Sequence, residues 1–391
     1  MTESNRPQDD SKTVVTPWEV VAEEGKLINY DHIIEQFGCQ KLTRDHITDL
    51  EKCLGENTHP LLRRLLCFAH RDFDKIIELI KEKKKFYMYT GRGPSSESMH
   101  IGHAVPFLLC KYFQDVFKCP IVIQITDDEK FIFKENLTLE DSIKYGMLNI
   151  RDIIAFGFDP KLTYIFSNYK SSSIFEKNTL KISKLISLNE AFKVFGFGMN
   201  SSIGMAQFPA KEIAPAYSSS FPFLEKNTPV LIPAAVDQDP YFRLARHKAN
   251  ILGELKPTSL YVSLLPDLRG PNRKMSASDE NSSIFLSDTP EEIERKIRKH
   301  AFSGGQATLA EQREKGACLD SDVSYQYLKY FMEDEDRLHE IGRKYSKGEM
   351  STADIKTICV EEVQRFVRSF QESRKRVSDD QVAEFMDLSK K

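Results

Sequence analysis

The segment from residue 86 to residue 126 constrains the fold more than any other part of the chain. Residues 86–90 (FYMYT) are aromatic and β-prone, and a glycine-proline loop follows them. A helical pattern then runs from about residue 99 to residue 117, and a second β-prone run (IVIQIT) occupies residues 121–126. Strand, loop, helix and strand in this order form a βαβ unit, whose two strands are parallel. The segment therefore predicts a doubly wound α/β fold.

Ligands of such sheets bind beside the carboxyl ends of the strands, which here means beside residues 90–94 and 126–129. The first loop lacks the third glycine of a dinucleotide fingerprint, and Pro94 disturbs the tight turn that the fingerprint needs. The sequence Gly-x-x-x-x-Gly-Lys-Ser/Thr is also absent. These observations argue against a nicotinamide cofactor and against a P-loop nucleotide hydrolase.

The start of the first helix carries His100, Ile101, Gly102 and His103. The two histidines are three residues apart, so both can donate hydrogen bonds to phosphate oxygens near the positive helix N-terminus. Gly102 has no side chain, which leaves room for a flat adenine ring. An isolated His-x-x-His pair more often has no ligand. Its position after a strand and a loop favours a phosphate site.

A second basic element, Lys-Met-Ser-Ala-Ser at residues 274–278, follows the last predicted strand, residues 259–265. Arg269 and Arg273 flank it, so the sequence predicts a basic loop over residues 269–278. Such a run on its own is typical of a solvated loop. Together with the two histidines, on the same edge of the sheet, it predicts a second phosphate contact.

The composition bounds the class of protein. The chain has 391 residues with 40% hydrophobic residues and a formal net charge of -3, which excludes a disordered chain and a polycationic nucleic-acid coat protein. No apolar run approaches the roughly 18 residues of a membrane span, and the polar first dozen residues do not look like a secretory signal. We therefore expect a cytoplasmic protein. The seven cysteines include no Cys-x-x-Cys pair and predict free thiols rather than a zinc site.

The two motifs together resemble those of class I aminoacyl-tRNA synthetases. Four further segments are similar to the tryptophanyl-tRNA synthetases of eukaryotic (cytoplasmic) and archaeal type, and the resemblance covers residues from about 17 to 385. These segments are YTGRGPSSE at 89–97, QITDDEK at 124–130, VDQDPYFR at 236–243 and AFSGG at 301–305. The resemblance implies a Rossmann-like catalytic domain with an inserted dimerisation region, followed by an all-helical anticodon-binding domain.

The patterns and the resemblance together divide the chain into five parts. A short strand or hairpin around Pro17 and Trp18 is expected near the start, and strands are absent from residue 289 onward. The parts are a flexible tail (1–15), a mostly helical segment packed on the catalytic domain (16–84), the catalytic domain (85–288, insertion roughly 131–229), the helical domain (289–378) and a C-terminal tail (379–391).

In the family, tryptophan attacks ATP to form tryptophanyl-adenylate and pyrophosphate, and the acyl group then passes to tRNA. The resemblance implies that charge on the reacting phosphates is stabilised by His100, His103, Lys274 and Arg92. It places ATP against Gly91, Gly93, Gly102, Asp237, Met275, Ser276 and Ser278. It assigns the indole ring to Tyr89 and Gln124, and the ammonium group to Glu129, Glu212 and Gln238. Mg²⁺ is expected on the ATP phosphates, without protein ligands.

Two positions depart from the family pattern. Glu212 stands where a glutamine is expected, and a second acid there still suits an ammonium group. After AFSGG an arginine-aspartate pair is expected, but the chain has Gln306 and Ala307, which puts specific base contacts in doubt. Lys356 matches a position that can contact the anticodon. The basic groups at 295–299 and 374–376 are candidates for phosphate contacts.

The expected partners are tRNA(Trp), L-tryptophan, ATP and a second copy of the chain, with no membrane and no DNA. Three alternatives stay open at this point. A tyrosyl-tRNA synthetase shares the fold and the chemistry, a small nucleotidyltransferase shares the histidine motif, and an inactive RNA-binding descendant retains only the fold. The last of these predicts loss of the histidine and lysine motifs, which the chain keeps.

Overall fold

A computed structural model of the chain describes residues 14–15, 20–21, 27–276 and 281–391. Most of the predicted flexible tail, together with Pro17 and Trp18, lies outside the described residues, and so does Ser278. The expected hairpin is present where it is described, because Val14–Val15 pairs in antiparallel fashion with Val20–Val21.

Strands and helices alternate through most of the chain and give way to helices near its end. The strands β1 to β11 are Val14–Val15, Val20–Val21, Gln40–Lys41, Cys67–Arg71, Tyr87–Arg92, Ile121–Ile125, Thr163–Ser167, Val230–Ala235, Thr258–Val262, Pro266–Asp267 and Gly270–Lys274. The helices α1 to α9 are Tyr30–Phe37, Arg44–Leu54, Pro60–Arg63, Phe73–Lys81, Ile101–Phe117, Asp127–Phe133, Leu139–Ala155, Asn168–Ser171 and Glu176–Ser183. The helices α10 to α18 are Leu188–Phe195, Ile203–Ile213, Asp239–Leu252, Pro290–His300, Leu309–Lys315, Val323–Phe331, Glu335–Ser346, Thr352–Lys375 and Asp379–Met386.

The central sheet has the strand order β3-β4-β9-β8-β5-β6-β7. Its inner pairs β9-β8, β8-β5, β5-β6 and β6-β7 are parallel. Side chains alternate across it: Tyr87 and Tyr89 of β5 pack into one apolar layer, and Met88 packs into the other. Because both faces are covered, the strands read as continuous apolar runs. The predicted doubly wound α/β fold is confirmed.

The segment 16–84 contributes to the sheet rather than only packing on it. Its strand β4 lies beside β9, and β3 lies beside β4, both in antiparallel pairs. The prediction of a mostly helical segment missed β4, whose first four residues are all buried. A strand that is covered on both faces shows no alternating pattern, so its apolar residues merged with the helical ones before it.

The predicted basic loop over residues 269–278 is partly a strand. Strand β11 (Gly270–Lys274) pairs with β10, and Arg273 faces Val21 of β2, so a second small sheet presents the lysine motif. Lys274 is therefore the last residue of a strand, and its position is held by ladder hydrogen bonds before the chain enters the loop.

The end of the chain is helical, as predicted, but it is more ordered than a tail. Thr289 caps α13 and Pro290 opens it. The predicted C-terminal tail contains α18, which Ser378 caps and which buries Val382 and Phe385. These two apolar residues, three apart, form the stripe that docks the helix. None of the described helices is both long and apolar enough to cross a bilayer.

Candidate active site

A cavity of about 480 Å³ lies at the carboxyl ends of β5, β6 and β8. Parallel strands that end together leave such a crevice, and the loops after them line it. Most of the predicted site residues meet there. The cavity is lined by Gly91, Arg92, Gly93, His100, Gly102, His103, Glu129, Glu212, Asp237, Gln238, Lys274, Met275 and Ser276.

The backbone joins the histidine motif to the segment that follows the lysine motif. His100 forms an antiparallel bridge with Phe285, and the Ile101 N–H donates to the Ile284 carbonyl at 2.9 Å. Ser283 in turn donates to the carbonyl of Ser276 at 2.6 Å. The two motifs are about 170 residues apart in sequence, yet they form one wall of the cavity.

The two motif histidines are neutral and stacked. His100 is the N-cap of α5, and its ring stacks on that of His103 with the centroids 3.4 Å apart. Burial lowers the pKa of both rings well below the usual value, and the Arg92 charge adds to the effect. They can therefore serve as hydrogen-bonding groups without contributing charge, and the fixed positive charge of this wall comes from Arg92 and Lys274.

Arg92 is buried and held by two neighbours. Its Nε donates to Asn149 Oδ1 at 2.8 Å, and its Nη1 donates to His103 Nε2 at 2.9 Å. Its Nη2 has no hydrogen-bond partner among the described residues. Burial lowers the pKa of the guanidinium to about 10, so it stays charged at neutral pH. Asn149 was not predicted, because it lies on α7, far along the sequence, and no local pattern connects the two residues.

Two carboxyl groups, Glu129 and Glu212, also line the cavity. Glu129 accepts from Thr126 Oγ1 and from Lys130 Nζ, each at 2.7 Å. Gly93 leaves the space that this arrangement needs, because a Cβ there would lie 2.1 Å from Lys130 Cε. Glu212 is also buried, and burial together with the charge of Glu129 raises its pKa to about 8. It is therefore largely protonated at neutral pH.

Tyr89 and Gln124 lie behind the wall of the cavity and do not line it. Both are fully buried, and the Tyr89 hydroxyl is hydrogen-bonded to the Gln124 side-chain oxygen and, at 2.7 Å, to the Glu212 backbone carbonyl. Gln124 Nε2 donates to Asn168 Oδ1 at 2.8 Å. The aromatic lining comes instead from side chains that the sequence did not single out. These are Phe107, Phe133, Phe208, Tyr241 and Phe242.

Several buried polar atoms in the lining have no hydrogen-bond partner among the described residues. They are Arg92 Nη2, His100 Nδ1, Glu212 Oε2, Asp237 Oδ1 and Tyr241 Oη. Buried polar groups are normally satisfied, so such a concentration in one cavity indicates a polar ligand. The same lining holds cations and carboxyl groups, which suits a ligand that carries both phosphates and an ammonium group.

Comparison with known proteins places the chain in the family whose motifs its sequence resembles. The model of the family "tRNA synthetases class I (W and Y)" matches residues 81–368. The chain belongs to this family. As a class I aminoacyl-tRNA synthetase it is a ligase that uses ATP as a substrate.

Relatives of this synthetase match it over nearly its whole length. A tryptophan–tRNA ligase from Encephalitozoon cuniculi is 57% identical and covers 96% of this chain and 98% of its own length. The cytoplasmic tryptophan–tRNA ligase of Homo sapiens is 45% identical, with 95% and 80% covered. The solved structure of the Encephalitozoon cuniculi tryptophanyl-tRNA synthetase bound to tryptophan has a TM-score of 0.88 at 56% identity, covering 93% of this chain and 99% of the other.

The residues of this synthetase that were predicted to contact tRNA lie outside the cavity lining. The Gln306 side chain donates to the Gly316 carbonyl at 2.9 Å. Lys356 donates to the Arg298 carbonyl at 3.1 Å, at the end of α13. Arg374 in the second basic cluster is hydrogen-bonded to Asp152 on α7 at 2.7 Å, so its charge is already used to dock α17 on the catalytic part.

Proposed function

We propose that the chain is a tryptophan–tRNA ligase, which activates L-tryptophan with ATP and transfers it to tRNA(Trp). The observation that carries this proposal is that one cavity is lined both by cations, Arg92 and Lys274, and by two buried carboxyl groups, Glu129 and Glu212. The 57% identity to a tryptophan–tRNA ligase supports the choice of amino acid. A tyrosyl-tRNA synthetase belongs to the same family but has no such support.

The part of the lining that holds Arg92 and Lys274 binds the triphosphate. A carboxylate is already a nucleophile and pyrophosphate is a good leaving group, so the reaction needs positioning and charge stabilisation rather than a strong base. Lys274 and Arg92 stabilise the charge that develops on the phosphates, and neutral His100 donates a hydrogen bond to them. His103, whose Nε2 accepts from Arg92, holds that guanidinium in place. Gly91 and Gly102 admit the nucleotide closely, Gly93 makes room for Lys130, and Met275 and Ser276 line the cavity beside the nucleotide. Ser278, which was also assigned to ATP, lies outside the described residues. Asp237 accepts hydrogen bonds from the ribose.

The part of the lining that holds Glu129 and Glu212 binds the amino acid. Glu129 supplies a fixed negative charge for the ammonium group, and Glu212 and Gln238 lie in the same lining. The indole ring packs among the aromatic side chains, of which Tyr241 has an unsatisfied hydroxyl. Tyr89 and Gln124 lie behind the residues that line the cavity. The indole N–H can bond to them only if the hydrogen bond between Tyr89 and Gln124 breaks.

Mg²⁺ accompanies ATP rather than occupying a site built by the protein. The lining around the motif histidines offers the cations Arg92 and Lys274, and two carboxylates of the lining are already paired with lysines, Asp237 with Lys274 and Glu129 with Lys130. Mg²⁺ prefers oxygen ligands and commonly binds through substrate phosphates and water. When bound there, it neutralises charge on the outer phosphates.

A second copy of the chain covers the apolar surface of the inserted region. Large hydrophobic side chains are exposed there, and they are Phe131, Tyr169, Leu180, Leu188, Met199 and Ile203. Exposed hydrophobic side chains of this size are typical of a subunit interface where they form a contiguous patch. We also propose that the helical part, including Gln306 and Lys356, contacts tRNA(Trp), and that the enzyme works in the cytoplasm, as the name of the human relative states for that protein.

The test is ATP-pyrophosphate exchange with a panel of amino acids. Tryptophan is expected to support exchange at least about 100-fold faster than tyrosine, because a buried polar site rejects a ligand that leaves it unsatisfied. Faster exchange with tyrosine would overturn the specificity. No exchange with any amino acid would favour the inactive descendant.

A further inference from the structure

One carboxyl group in the lining of the cavity, that of Glu212, has no hydrogen-bond partner among the described residues. Glu212 lies on α11 and is 7% exposed, and no hydrogen bond joins its side chain to any other described residue. Glu129, in the same lining, is held by Thr126 and Lys130. A buried charge without a partner is strongly disfavoured, and a carboxyl group avoids this cost by keeping its proton.

The surroundings of Glu212 come from several elements. Asp128 and Glu129 on α6 add negative charge, while Lys130 on the same helix opposes them but is already paired with Glu129. The other titratable groups nearby are Lys211 on α11, which is paired with Asp128 at 2.7 Å, Tyr89 on β5 and Tyr241 on α12. Without a ligand, no free cation among the described groups facing Glu212 can stabilise its anion.

We propose that the binding of tryptophan displaces the proton of Glu212. This inference rests on the proposed function. In the free enzyme Glu212 is a neutral acid, and in the complex it is a carboxylate paired with the ammonium group of tryptophan. The O–H bond of Glu212 breaks and its proton passes to the solvent, while the ammonium group keeps all its protons and no bond of tryptophan changes.

This arrangement explains how the site tolerates two acids. With Glu212 neutral, this pair of acids carries at most one negative charge in the empty cavity rather than two. The second charge appears only when a cation is present to balance it. A ligand with an indole ring but no ammonium group, such as indole-3-propionate, does not stabilise the Glu212 carboxylate. Glu212 therefore keeps its proton when such a ligand binds. Glu212 therefore makes affinity depend on the ammonium group through protonation as well as contact.

Isothermal titration of the full-length protein with L-tryptophan in phosphate, Hepes and Tris buffers tests the proposal. At about pH 7 the binding heats are expected to show release of about one proton per site, and affinity should rise about tenfold from pH 6 to pH 7. In E212Q the release and the pH dependence should disappear. The variant E225Q makes the same change at an exposed residue paired with Lys85, and it should behave like the natural protein.

Tryptophan binding with heats that do not depend on the buffer would overturn the proposal, even with the proposed function intact. Proton release that persists unchanged in E212Q would overturn it as well, because another group would then be the source. Absence of any tryptophan binding would refute the proposed function, and with it the coupling. Release with L-tryptophan but none with indole-3-propionate would support the assignment to the ammonium group.

Discussion

Lys274 donates a hydrogen bond of 2.8 Å to the carboxylate of Asp237. The two residues are proposed to bind different parts of ATP, the phosphates and the ribose, yet without nucleotide they bind each other. The pair joins β11 of the small sheet to the end of β8 in the central sheet. ATP therefore has to replace this ion pair with two contacts of its own, and Asp237 Oδ1, which has no partner among the described residues, is ready for one of them.

Replacement of Lys274 by alanine should slow tryptophan-dependent pyrophosphate exchange by about 10² to 10³-fold, because a cation that stabilises developing phosphate charge is lost. Tryptophan affinity in the absence of ATP should stay within about twofold of the natural value, since Lys274 is paired with Asp237 rather than with Glu129 or Glu212. Alanine at Lys226, an exposed lysine outside the lining, is the control. An exchange rate for Lys274→Ala equal to that of the control would refute the role of Lys274.

Replacement of Asp237 by asparagine should raise the KM for ATP by about tenfold, because charge-assisted hydrogen bonds to the ribose are weakened. The comparison with 2′-deoxy-ATP and 3′-deoxy-ATP is more specific than the KM alone. Loss of a ribose hydroxyl should reduce kcat/KM in the natural enzyme much more than in Asp237→Asn, because the variant keeps only one acceptor oxygen, which carries no charge. Equal losses in both proteins would show that Asp237 does not contact the ribose.

The sequence predicted the parts of the site that local patterns encode. Strand, loop and helix around His100 and His103 follow from periodicity and turn residues, and the lysine motif follows a recognisable strand. Asn149, which holds Arg92, and the aromatic side chain of Phe208 come from distant helices and carry no local signal. Their roles depend on which helices the tertiary fold brings to the sheet edge.

The positions of Tyr89 and Gln124 show a different limit. Both are near the carboxyl ends of β5 and β6, where ligands bind, so their assignment to the indole ring was reasonable. Alternation along a strand sets which layer a side chain enters, but not whether it reaches the cavity surface or is covered. Here each residue satisfies the other's hydrogen bond, and α11 with Glu212 lies over them.

Replacement of Gly93 by alanine should raise the KM for tryptophan by about tenfold with a smaller effect on ATP. The added Cβ would lie 2.1 Å from Lys130 Cε and 2.8 Å from Glu129 Oε2, so Lys130 must move and release Glu129. Gly198→Ala is a matched control, because its Cβ would meet nothing within 4 Å. If both variants showed natural kinetics with tryptophan, the position of Glu129 would not depend on the space at Gly93.

Replacement of Glu212 by glutamine should stabilise the protein increasingly as the pH rises. The pKa of Glu212 is about 8 in the folded chain, above its unfolded value, so the folded state binds more protons than the unfolded state between about pH 4.5 and pH 8. The unfolding free energy of the natural protein therefore falls through this window, by at most about 1.4 kcal/mol per pH unit from this group. Glutamine does not titrate, so the difference between the two proteins should be smallest near pH 5 and level off above about pH 8. Denaturant unfolding across this pH range, with E225Q as the control, measures the difference in unfolding free energy. A difference that does not change with pH would mean that the pKa of Glu212 is not raised.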